Sequence, residues 1–134
     1  MGVLLTVLVA ACSSPAKPIE SRPPPCNPAC LATNSCLSLD DALVDARGPM
    51  LACVGREAGR GNLAAAHRCY RSLRLLESAR WWLKTLLGQD ELHAVYMPSE
   101  TVKRQFICRI QALTRAKTAS EVERQYLEMI RSSP

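Results

Sequence analysis

The side chains with the most chemistry to offer are thiols, and seven of them, Cys12, Cys26, Cys30, Cys36, Cys53, Cys69 and Cys108, are spread along a chain of 134 residues. A thiol can be acylated, oxidised to a disulfide or used as a metal ligand, and spacing discriminates among these fates. Cys26, Cys30 and Cys36 are clustered and His67 lies close to Cys69, but no C-x2-C pair repeats as structural zinc sites usually require. No metal or other cofactor is therefore expected. One cysteine stands apart at the end of an apolar run, which fits one modified thiol and an even set of crosslinked ones.

That run, residues 3–11, is apolar apart from Thr6. It is too short to cross a hydrocarbon core as a helix, which needs about 20 residues. An apolar stretch of this length followed by small residues is the pattern of a cleaved secretory signal. Val9-Ala10-Ala11-Cys12 resembles the lipobox of bacterial lipoproteins, and the resemblance implies cleavage after Ala11 and a diacylglycerol on the Cys12 thiol. Residues 1–11 are thus expected to be a signal peptide, although no Lys or Arg precedes the run. Met1-Gly2-Val3-Leu4-Leu5-Thr6 also fits the N-myristoylation pattern, but a cytosolic myristoylated chain gives the other cysteines no role. Acylation of Cys12 leaves Cys26, Cys30, Cys36, Cys53, Cys69 and Cys108, an even number that an oxidising periplasm can pair.

Without its leader the chain suffices for one domain with a modest core. One Phe, two Trp and three Tyr supply little aromatic bulk, so covalent staples are useful. The formal net charge of +5 suits a solvated cationic helix face, and no nucleic-acid partner is expected. Residues 13–28 are crowded with proline, which locks φ and lacks a backbone donor. Residues 12–35 therefore read as a lipidated Cys12 and an extended tether, long enough at roughly 3.1 Å per residue to hold a domain about 40–50 Å from a membrane surface. Ser13 stands where an Asp would favour inner-membrane retention, so the periplasmic face of the outer membrane is the expected address.

Residues 36–134 read as helical. Ser38 and Asp41 fit a helix start, and Leu39, Ala42, Leu43 and Ala46 follow at helical spacing until Gly48-Pro49, where a stop is expected. Pro49 is suited to open a second helix to about Ala58, with a turn at Gly59-Arg60-Gly61. Asn62 caps the longest helix, which runs to about Leu87 and Gly88 and carries Cys69, Leu73, Leu76, Ala79, Leu83 and Leu86 as one stripe. Arg68, Arg71, Arg74, Arg80 and Lys84 fall on its other faces. A turn from Asp90 to Met97-Pro98 follows, and Ser99 caps a helix bearing Val102, Phe106, Cys108, Ile110 and Leu113. Thr118-Ala119-Ser120-Glu121 fits a capping box before a last helix with Val122, Tyr126, Met129 and Ile130. No window alternates as strands do, so the expected fold is all-α, a small disulfide-stabilised bundle of four to five helices.

Cys53 and Cys69 lie seven residues before and nine after Arg60, the tip of the expected helical hairpin. At roughly 1.5 Å per residue their heights differ by about 3 Å, so this pair can bridge if both side chains face the seam; the remaining pairings do not follow from spacing, and Cys108 is expected to reach Cys36 or Cys30. Acid–base residues are sparse. His67 and His93 sit in no nucleophile pattern, Asp40-Asp41 suit a helix N-terminus, and Gly55, Gly59 and Gly61 form no phosphate cradle, so no enzyme is expected. Trp81-Trp82 point about 100° apart on a helix, which lets one ring pack inside while the other reaches a surface.

The lipobox, the proline-rich tether and the inter-helix disulfide, with Cys36-Leu37-Ser38-Leu39, Cys69 and Trp81-Trp82, resemble the helical pilotins of bacterial secretins in type III and type II secretion systems. The resemblance implies a lipoprotein held in the membrane by its lipid anchor, which binds the amphipathic C-terminal helix of a secretin in a groove and escorts it to the outer membrane. It implies groove residues among Trp82, Leu83, Leu87, Phe106 and Ile110. A tethered binding surface equally suits an exclusion, lysis or inhibitor lipoprotein of a mobile element.

Overall fold

A computed structural model describes residues 26–88 and 99–131. The elements are α1 (Ala29–Ala32), a 3-10 turn (Cys36–Ser38), α2 (Leu39–Gly59), α3 (Leu63–Leu86), α4 (Glu100–Thr114) and α5 (Ala119–Arg131), with no strand among the described residues. The expected leader, Cys12 and most of the tether lie outside the described residues, as do His93 and the turn expected from Asp90 to Pro98.

Helix α2 corrects the expectation of a break at Gly48-Pro49, since it is one helix with Pro49 inside it. Proline there removes the N–H that would reach the Asp45 carbonyl and costs about 3 kcal/mol. Leu43, Ala46 and Met50, before and after the proline, are buried on one face. Burying a Leu or Met contributes about 1.5–3 kcal/mol each, so packing of this face outweighs the break. Ser38 is a second correction: it makes no capping bond to α2, because the preceding 3-10 turn turns its hydroxyl back to donate to the Ser35 carbonyl at 2.8 Å.

Helices α2 and α3 form an antiparallel hairpin. The turn is a Schellman closure: Asn62 N–H donates to Glu57 O at 2.9 Å and Gly61 N–H to Ala58 O at 3.0 Å. Gly61 has φ +74°, a left-handed conformation open to glycine without a Cβ penalty. Asn62 then caps α3, its side chain accepting from Ala65 N–H at 3.2 Å, and Ser99 caps α4 by accepting from Val102 N–H at 3.2 Å. At α5 Thr118 accepts from Glu121 N–H at 3.2 Å, while the Glu121 carboxylate reaches back to Lys117 N–H at 3.0 Å.

Helix α3 packs against α2, α4 and α5, and α4 packs against α2, α3 and α5, whereas α2 and α5 do not pack extensively on each other. Helices α2 and α5 therefore flank α3, and α4 closes the bundle on the side away from α3's outward face. Phe106, Leu43, Met50, Leu76, Leu83 and Met129 are among the side chains fully enclosed in the single core.

Three disulfides tie the bundle together, joining Cys26 to Cys108, Cys30 to Cys36 and Cys53 to Cys69. The hairpin bridge is as its height along the two helices implies, with Cα atoms 6.0 Å apart. Cys108 is a correction, because its partner is Cys26 rather than Cys36 or Cys30, which bond to each other. The folded body thus starts earlier than the boundary expected at residue 36: Cys26 is stapled to α4, Pro28 is buried, and α1 precedes the 3-10 turn.

Candidate functional site

The residues expected to line a groove between α3 and α4 form the bundle's interior instead. Leu83, Phe106 and Ile110 are 0% exposed, and Trp82 and Leu87 are partly buried against the same core. The reason is geometric: the apolar stripes of α3 and α4 face each other, so these side chains are enclosed between the helices. Trp82 packs on Phe106 with ring centroids 5.8 Å apart, and Trp81 meets Trp82 edge to face at 4.8 Å. Trp81 is 40% exposed, so the adjacent rings divide between core and surface.

Among the described residues, two shallow hollows open on the outward face of α3. A shallow hollow of about 530 Å³ between α2 and α3 is lined by Arg47, Leu51, Tyr70, Leu73, Arg74, Glu77 and Ser78. On the other flank of α3 a second hollow of about 330 Å³ is lined by Arg71, Arg74, Leu75 and Glu123. Arg74 belongs to both and forms the ridge between them. Tyr70, Arg74, Glu77 and Trp81 recur at helical spacing and are all exposed, so one stripe carries an aromatic ring at each end and an Arg and a Glu between. Leu51, 53% exposed, extends the apolar surface onto α2.

Charge pairing along this face is uneven. Arg47 Nη1 lies 2.9 Å from Glu77 Oε1, and Glu77 also takes Arg80 at 3.0 Å. Glu123 takes Arg68 at 3.4 Å and Arg71 at 3.3 Å. Arg74 has no carboxylate within ion-pair distance among the described residues, although both hollows open onto it. Deeper in the α2–α3 seam Arg80 holds Asp40, and this hydrogen bond is the main cause that keeps the Asp40 carboxyl below its ordinary value of 3.8.

All six described cysteines are in disulfides, and no cluster of His, Cys, Asp or Glu among the described residues could hold a metal ion. His67 is exposed on α3, and Asp41 is exposed in the first turn of α2. No helix among the described residues is long and apolar enough to cross a membrane. The α3 face was missed in the sequence because its exposed rings, Tyr70 and Trp81, lie off the core stripe, although Leu73 of that stripe reaches the larger hollow; the signal that could have found it is the spacing of Tyr70, Arg74, Glu77 and Trp81. Comparison with protein-family models, with curated proteins and with solved structures finds no match.

Proposed function

We propose that the chain is exported, anchored by a lipid on Cys12 to the periplasmic face of the outer membrane, and acts there as a non-enzymatic binding protein for an envelope partner. The observation that carries this reading is cysteine pairing. Every cysteine from Cys26 onward is crosslinked, which suits an oxidising compartment, and Cys12, at the end of the lipobox-like stretch, is the one left over. A stapled helical body on a proline-rich tether is the architecture of a molecule that presents a surface. Escort of a secretin subunit, as pilotins perform it, is the specific form of this reading that the sequence resemblance supports.

Metabolic labelling with a palmitate analogue tests the anchor: label is expected on the wild-type chain and absent from Cys12→Ser. Label persisting in that variant would place the modification elsewhere. The escort form is tested by co-purification with a secretin C-terminal peptide, and capture no better than that of a scrambled peptide ends it.

A further inference from the structure

We propose that the outward face of α3 docks an acidic, amphipathic segment of a protein partner, with a carboxylate of that segment on Arg74 and its apolar side chains in the hollows on either side. This deepens the reading of the chain as a binding protein and rests on it for the protein nature of the partner.

Three features select this occupant. First, the face combines exposed Tyr70 and Trp81 with Arg74 between them, and Tyr, Trp and Arg are the residue types that dominate binding energy at protein interfaces. Tyr70 and Trp81 are eleven residues apart, roughly 16 Å along the helix, which matches about three turns of a docked helix. Second, the charges are complementary to a carboxylate at one point. Arg47, Arg68 and Arg71 already have carboxylate partners, while Arg74 offers a free planar fork at the ridge. A polyphosphate or an anionic membrane surface is disfavoured, because Glu77 and Glu123 line the same hollows and leave Arg74 as a place for one carboxylate flanked by apolar side chains, not for a run of anions. Third, both hollows are shallow and open, so a small molecule would be poorly enclosed there. A continuous segment can lay successive side chains into both.

The position of the face fits presentation to a partner. The Cys26–Cys108 staple fastens the N-terminal segment to α4, across the bundle from α3's outward side.

The test is selection from a displayed library of random sixteen-residue peptides on the exported, oxidised full chain carrying Cys12→Ser, so that the outcome does not depend on the lipid. Enriched peptides are expected to carry Asp or Glu among Leu, Phe or Met at helical spacing. Recovery of these peptides is expected to fall about tenfold on Arg74→Ala and on Tyr70→Ala, further on Arg74→Glu, to return in large part with Arg74→Lys, and to be unchanged by Leu127→Ala on α5. Circular dichroism of each variant separates lost binding from lost folding. Selection of basic peptides, no enrichment at all, or recovery indifferent to Arg74→Glu would overturn the site. Arg74-dependent sedimentation with phosphatidylglycerol vesicles would replace the protein partner by a membrane. Loss of the lipid label at Cys12 would sink the anchor and leave the peptide result standing.

Discussion

Arg80 grips Asp40 across the α2–α3 seam with two bonds, Nε to Oδ1 at 2.8 Å and Nη2 to Oδ2 at 3.2 Å, and both side chains are less than a quarter exposed. Because Arg80 also reaches Glu77 and Glu77 reaches Arg47, the fork belongs to a network that zips the hairpin. Going along α2 from Asp40 to Arg47 to Cys53, the partners descend α3 from Arg80 to Glu77 to Cys69, the register of an antiparallel pair.

Arg80→Ala should therefore cost about 1–2 kcal/mol in urea unfolding, more than an exposed ion pair contributes. The pH dependence has a definite sign. Arg80's hydrogen bond lowers the folded pKa of Asp40 below 3.8, so its stabilisation is complete well above that value and is lost as pH falls through the folded pKa. The stability gap between wild type and Asp40→Asn should be constant at neutral pH and close below 3.8; a gap that persists in acid would contradict the pairing.

The disulfides should rank by the length of chain they close. Cys26–Cys108 spans 82 positions, Cys53–Cys69 spans 16 and Cys30–Cys36 spans 6. Chain entropy then gives losses of about 4–5, 3 and 2 kcal/mol on replacing each pair by alanine. Unfolding midpoints of the three double variants measure the order, and the smallest loss at Cys26–Cys108 would show that this bridge only trims the edge of the fold.

Truncations in the α3–α4 seam should act through stability. Phe106→Ala should cost about 3–5 kcal/mol and Leu83→Ala about 2–5 kcal/mol, while the exposed Tyr70→Ala should stay within about 0.5 kcal/mol. Thermal melts of the three variants suffice; an undiminished melt for Phe106→Ala would mean that the seam is an open groove after all.

Caps make a smaller contrast. Asn62→Ala should lose about 1 kcal/mol, because Ala65 N–H then lacks its acceptor, whereas Ser38→Ala should stay within about 0.5 kcal/mol. Gly48→Ala, whose added Cβ meets nothing within 4 Å, should gain about 0.5–1 kcal/mol by stiffening α2. Urea midpoints compare all three.

Features governed by neighbours along the chain were legible from the residues alone. The Asn62, Ser99 and Thr118 caps, the all-α class and the Cys53–Cys69 bridge depend on local spacing or on one short turn, and each is present. Features governed by distant packing were not. Pro49 signals a break locally, but the burial of Leu43 and Met50 on one face decides the matter. Cys26 reaches Cys108 across 82 positions, and no periodicity relates a proline-rich stretch to the middle of a distant helix. Periodicity also could not say whether Leu83, Phe106 and Ile110 line a groove or a core, because both uses require the same stripe; only their enclosure distinguishes them.

Intact mass before and after reduction, with alkylation of free thiols, reaches export, acylation and crosslinking together. The expected species begins at Cys12, carries a diacylglycerol, takes up no alkyl group before reduction and takes up six after it, one for each crosslinked cysteine. A chain that begins at Met1, lacks lipid and is alkylated at all seven cysteines without reduction would contradict the central claim.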